Sequence, residues 1–178
     1  MSIRIVLVGT THPGNIGAVA RAMKNMGLAD LALVAPRYFP HAEACARASG
    51  AEDLLASAVV TDNLVDAVRD CRFVAGASAR ARTIDWPVLG PRECAARLVA
   101  ESSSGDVAAV FGPEKSGLTN EDLDRCQALL SIPADPAFSS LNLAMAVQIL
   151  CYELRLARTD ATSPLPQRDV PLAKSEDL

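Results

Sequence analysis

Six short runs of apolar, β-prone residues recur along the chain, and the stretches between them have helical spacing. The runs fall at 3–8 (IRIVLV), 31–35 (LALVA), 58–60, 72–76 (RFVAG), 107–111 (VAAVF) and 129–133 (LLSIP). Helical patterns occupy 15–27, 41–56, 63–70, 91–102 and 120–126, with a longer one over about 140–157. Strands that are apolar on both faces need cover on both faces, so this alternation predicts an α/β fold: a parallel sheet with helices on either side. The last helix, SLNLAMAVQILCYELRLA, is apolar nearly all round, which predicts burial on more than one side, with a subunit interface as the second cover.

Half of the 178 residues are apolar, enough for one well-buried domain, expected at 1–158. Residues 159–178, rich in Pro, Ser and charge, read as a linker or the start of a C-terminal extension. No run approaches the roughly 18 apolar residues of a membrane span, and the first is too short for a secretion signal, so no membrane partner and a cytoplasmic location are expected. Cys45, Cys71, Cys94, Cys126 and Cys151 form no C-x-x-C pair and have only His12 and His41 as companions. Buried thiols are expected, with neither a disulfide framework nor a metal.

The net charge of −4 is unevenly spread. Residues 1–50 carry Arg4, Arg21, Lys24, Arg37 and Arg47 against Asp30 and Glu43, a balance of +3, whereas six basic and twelve acidic residues give 98–178 a balance of −6. A basic N-terminal part can face a nucleic acid while the remainder stays acidic.

The first strand runs into GTTHPGNIGAVARAMKNMG at 9–27, a glycine-studded turn and a helix. Gly9 and Gly14 have the spacing of a phosphate-binding P-loop, but Asn15 and Ile16 stand where its lysine and hydroxyl belong. Gly14 and Gly17 supply only half of a dinucleotide fingerprint, with no acidic residue at the end of the second strand. A plain turn at Pro13–Gly14, with Asn15 as helix cap, fits equally well. At about 100° per residue, Ile16, Val19, Ala20, Met23 and Met26 share the buried face, and Gly17, Arg21, Lys24 and Asn25 line the flank. Arg21 thus stands one turn above Gly17, whose missing side chain leaves its approach to the helix start open. An arginine fork there suits a phosphate or a developing alkoxide; a merely solvated face is the alternative.

Two later blocks, VFGPEKSGLTN at 110–120 and IPADPAFSSLNLAMAVQ at 132–148, join THPGNIGAVARAMKNMGL at 11–28, GASARART at 76–83 and WPVLGPREC at 86–94. In order and spacing these five blocks resemble the SPOUT superfamily of RNA methyltransferases in its TrmH-like, 2′-O-methylating branch, over residues 3–157. The resemblance implies a deep C-terminal trefoil knot, rare among folds. It also implies a homodimer, S-adenosylmethionine as methyl donor, and tRNA as substrate, with the 2′-hydroxyl of nucleotide 32 in the anticodon loop as acceptor. Ribosomal and wobble-position enzymes share the motifs. Cofactor contacts are implied at Ala77, Ser78 and Ala79, at Gly112, and at Ile132, Ser139, Ser140 and Leu141. Those loops follow three strands at the carboxyl edge of the sheet, where open α/β folds place ligands.

The resemblance also gives Arg21 the central role in transfer. Asn15 and Ser140 are implied to orient ribose and donor, Glu114 to bond the arginine or loop amides, and Lys24, Arg80 and Arg82 to contact RNA. Pro113 departs from the family pattern and removes one backbone donor from its loop. Plainer roles compete: a surface carboxylate at Glu114, helix capping by Ser139 and Ser140, solvated charges at Arg80 and Arg82. A catalytically silent RNA-binding module or a nucleotide-binding α/β protein stays open on these residues.

Overall fold

The structure, a computed structural model, describes residues 1–78 and 86–159. Its strands are β1 (Ile3–Val8), β2 (Asp30–Val34), β3 (Val59–Thr61), β4 (Cys71–Ala77), β5 (Val88–Leu89), β6 (Asp106–Phe111) and β7 (Ala128–Leu130). All pair in parallel in one sheet, in the order β3-β2-β1-β6-β4-β7-β5. The helices are α1 (Pro13–Asn25), α2 (Ala42–Ala48), α3 (Glu52–Ser57), α4 (Leu64–Val68), α5 (Pro91–Ser102), α6 (Asn120–Leu123) and α7 (Leu143–Arg158).

Six strands fall where the sequence predicts them, their bounds agreeing to within three residues. The sequence reading misses β5, a two-residue strand that exists by pairing Val88 with Leu129 at the sheet edge. The helix expected over 41–56 is two, α2 and α3, broken where Ser49 (φ 45°) and Gly50 (φ 95°) turn left-handed.

Alternate residues of the central strands feed two apolar layers. Ile5, Leu7, Leu31 and Leu33 pack with Ile16, Val19 and Met23 of α1 and with Leu150 and Leu154 of α7. Val6, Ala108 and Val110 pack on the opposite face with Leu64 of α4 and Leu123 of α6. Both faces are covered, as all-apolar strands require, and each fully buried Leu or Ile contributes about 1.5–3 kcal/mol.

Two cations of the N-terminal part are spent on this framework. Arg4, at the amino end of the sheet, pairs with Asp30 at 3.1 Å and Asp70 at 2.8 Å and donates to the Ala67 carbonyl. Lys24 donates to the Gly50 carbonyl and pairs with Asp53 at 2.8 Å, tying α1 to α3.

The expectations for Gly17 and for the thiols are corrected, and α7 has the open side that a subunit interface was expected to cover. Gly17 does not open a path for Arg21: it is buried against α2, where a Cβ would overlap the Ala44 carbonyl. Within this chain α7 is covered on one face only: Leu143, Val147, Leu150, Cys151 and Leu154 are buried while Met145 (64% exposed) and Tyr152 (50% exposed) face outward. Burial pushes the thiols of Cys94, Cys126 and Cys151 up to about 12, but Cys71 is only half-buried and Cys45 is exposed. No helix of the described residues is long and apolar enough to cross a membrane, and no group of metal-ligating side chains occurs among them.

Candidate active site

Parallel strands send their following loops to one edge, and there a cavity of about 340 Å³ opens. Ala77 at the end of β4 with Ser78 after it, the turn Gly112–Leu118 after β6, and Ile132 with Ser139, Ser140 and Leu141 after β7 contribute to its wall. Seven of the eight residues expected to hold cofactor therefore line one space. The eighth, Ala79, lies outside the described residues, as do Arg80 and Arg82.

The wall after β6 is shaped by its glycines. A Cβ on Gly112 would overlap the backbone of Gly117 and Leu118, so only glycine lets the turn close on itself. Gly117 adopts φ 67° and donates its N–H to the Pro113 carbonyl at 2.9 Å. Pro113 lacks a donor of its own, and its ring packs close to Gly9 of the first loop. Thr119 and Asp122 cap α6 reciprocally at the far end of the segment.

Glu114 points from this turn to the start of α1. Oε2 accepts from the Thr11 backbone N–H at 3.0 Å and the Thr11 hydroxyl at 2.8 Å; Oε1 accepts from the His12 N–H at 3.1 Å and Asn15 Nδ2 at 3.0 Å. The helix begins with Pro13 at its first position and His12 as an N-cap that offers no side-chain bond. A carboxylate from a distant loop fills the vacancy, where the helix dipole also favours negative charge. Partial burial pushes the Glu114 carboxyl upward, but the bonds from Thr11 and Asn15 outweigh it and hold the group down at about 2.

The glycine-studded turn thus holds a carboxylate of its own chain. A phosphate at the same place would meet like charge, which weighs against the nucleotide-binding reading.

Asn15 links two segments. While Nδ2 donates to Glu114, Oδ1 accepts from Asn142 Nδ2 at 3.1 Å. Asn142 is also the N-cap of α7, accepting from the N–H groups of Ala144 and Met145. Neither Ser139 nor Ser140 is that cap; both sit in the cavity wall instead. The sequence reading missed Thr11 and Asn142. Starting the last helix at 140 puts Asn142 inside it, although an asparagine before an apolar helical run is itself a cap signal.

Arg21 is exposed on α1, two turns from the helix start, lines no part of the cavity and forms no ion pair with another described residue. Lys24 stands further along, occupied by Gly50 and Asp53.

A parallel sheet whose carboxyl edge carries a ligand-sized cavity, tied to the first helix through a buttressed loop, is the arrangement by which open α/β proteins hold a small ligand. The chain belongs to the SpoU rRNA Methylase family, whose model matches residues 2–152. It is 59% identical over 156 residues to the tRNA (cytidine/uridine/adenosine-2′-O-)-methyltransferase TrmJ of Pseudomonas aeruginosa, covering 87% of this chain and 61% of that protein. It is 49% identical over 181 residues to the tRNA (cytidine/uridine-2′-O-)-methyltransferase TrmJ of Cronobacter sakazakii, covering 99% of this chain and 74% of that protein. The crystal structure of TrmJ from Z. mobilis superposes with a TM-score of 0.82 at 39% identity, over 87% of this chain and 69% of that one. The chain thus spans about two thirds of the length of these relatives.

The cavity suits a small organic ligand. Its volume falls within the roughly 300–1,000 Å³ of small-molecule sites. Ile132 and Leu141 offer apolar surface, and the glycine turn and the hydroxyls of Ser78, Ser139 and Ser140 offer polar contacts.

Proposed function

We propose that this chain methylates the ribose 2′-hydroxyl of nucleotide 32 in the anticodon loop of tRNA, using S-adenosylmethionine, as a cytoplasmic homodimer. One observation carries the reading: the three loops expected to hold the donor border a single cavity, and Glu114, Asn15 and Asn142 fasten its rim to the helix that bears Arg21. The names of the relatives support tRNA as acceptor. The strand order suits the trefoil knot that the resemblance implies, since β6 and β7 both enter between strands laid down earlier.

Ala77, Ser78, Gly112, Ile132, Ser139, Ser140 and Leu141 would hold the donor, with Ala79 continuing the first of these loops. When bound, it supplies a methyl group on a sulfonium, already activated, so positioning is a large share of the task. Arg21 serves that task as a permanent cation: a guanidinium does not lose its proton in proteins. It would hold the phosphate of the target nucleotide and stabilise charge developing on the 2′-oxygen, while the proton leaves to phosphate or water. Asn15 and Ser140 would orient ribose and donor. Glu114, ionised and committed to four donors, is a poor base and acts by positioning Asn15 and the first loop.

Arg21 lies about 9 Å along the helix axis from Asn15. In this reading RNA laid across the homodimer spans that distance, and the exposed face of α7 at Met145 and Tyr152 seats the second copy. Lys24, Arg80 and Arg82 would meet phosphates. The pair between Lys24 and Asp53 is open to solvent and screened by it, and does not forbid this contact.

Calorimetry and a turnover assay test the proposal together. S-adenosylhomocysteine should bind with measurable heat where ATP and NAD give none. Arg21→Ala should keep that affinity and the melting temperature while losing at least about 100-fold in methyl transfer to tRNA. Heat with ATP or NAD alone, or an Arg21→Ala protein with full turnover, refutes it. Mapping ribose methylation in RNA from cells lacking the gene identifies the nucleotide.

A further inference from the structure

We infer that the loop between β2 and α2 is a stacking seat for an unpaired RNA base, built from Arg37, Tyr38 and His41. The inference rests on the RNA-modifying reading above and extends it to a surface outside the cavity and α1.

Tyr38 is one of two tyrosines in a chain only 4% aromatic, and 49% of it is exposed. The Arg37 guanidinium carbon lies 5.3 Å from the centre of its ring, backing it with a planar cation. The His41 ring stands 6.5 Å away, tilted by 55°. His41 Nδ1 accepts the Glu43 N–H at 3.1 Å, which fixes the imidazole as the cap of α2 and leaves the proton on Nε2. Arg37 forms no ion pair with another described residue. A planar cation, a half-exposed ring and a fixed ring donor are thus grouped within five residues.

The loop is rigidly placed relative to the proposed active site. Val34 pairs with Val8, so the loops after β2 and β1 leave the same sheet edge as the cavity. The Arg37 N–H donates to the Thr10 carbonyl at 3.0 Å, and the next residue, Thr11, is held by Glu114. Because Arg4 and Lys24 are paired internally, the excess positive charge of the first fifty residues lies with Arg21, Arg37 and Arg47. Single-stranded RNA loops are recognised by this combination: splayed bases stack on aromatic rings and guanidinium planes, and cations meet the adjoining phosphates. A base inside a duplex has no free face to offer, so the seat fits a nucleotide of a hairpin loop close to the methylated one.

The test is equilibrium binding of the full chain, at fixed low salt, to a fluorescent hairpin RNA with an unpaired loop and to a duplex of the same stem. Loss of one stacked base by Tyr38→Ala should weaken hairpin binding about five- to 150-fold. Tyr38→Trp should hold it within about threefold, and duplex binding and affinity for S-adenosylhomocysteine should not move. Equal hairpin affinity for parent and Tyr38→Ala overturns the seat, as does a parent that binds no hairpin. If Tyr38→Ala instead changes the oligomeric state in light scattering with hairpin affinity intact, the loop is a protein contact and the proposal fails. A parent that binds the hairpin through Tyr38 yet transfers no methyl group upholds the seat and overturns the catalytic reading.

Discussion

Replacing Glu114 by Gln tests whether a carboxylate from the β6 loop holds the start of α1. The amide keeps one oxygen for two of the four donors but turns an NH₂ group toward the other two, and it removes the charge that the helix dipole favours. The native carboxyl is lowered from an ordinary value of 4.5 to about 2, which at face value corresponds to about 3 kcal/mol. The group is only partly buried, and solvent screening reduces that to about 1–2 kcal/mol. For a chain of this length, Glu114→Gln should therefore melt about 2–8 °C below the parent at pH 7. Because the native carboxyl holds its proton less tightly than the unfolded one, its contribution is full above pH 4.5 and is lost as pH falls toward about 2. Calorimetric melts of both proteins should show the gap shrinking by more than half between pH 6 and pH 3. A gap that stays constant over that range, or its absence at pH 7, refutes the assignment.

Gly17→Ala should destabilise by about 1–3 kcal/mol in a urea titration, because its Cβ overlaps the backbone of α2; an unchanged midpoint would show that the helices can part at no cost. Gly112→Ala should weaken S-adenosylhomocysteine binding at least tenfold by calorimetry, since the turn cannot close around a methyl group; parental affinity would remove this loop from the donor site. Met145→Glu combined with Tyr152→Glu should yield monomers in light scattering, and a persistent dimer would place the interface elsewhere.

Legibility in the sequence followed the range of the forces involved. The alternation of apolar strands and helices is local, so fold class and six strands could be read directly, whereas β5 exists only because β7 lies beside it. Family blocks brought seven cavity residues into view without any contact being predictable. The resemblance gave Glu114 the arginine or loop amides as partners, and loop amides it has, but which ones was not readable: its bonds to Thr11, His12 and Asn15 span 99 to 103 residues and depend on how two loops meet. Gly17 was misread for the same reason. Helical geometry gives its position on α1 but says nothing of the neighbouring helix that presses against it.

The strand order has a consequence for biosynthesis. The partner that bridges β1 and β4 is β6, which leaves the ribosome later than both, and the one that bridges β4 and β5 is β7, later still. Until residue 111 has been translated, the nascent chain holds one three-stranded half-sheet, β3-β2-β1, with a bare apolar margin, while β4 and β5 have no strand to pair with. Cooperative closure is therefore deferred until β7 has left the ribosome, and until then that margin and the unpaired strands are natural targets for chaperones.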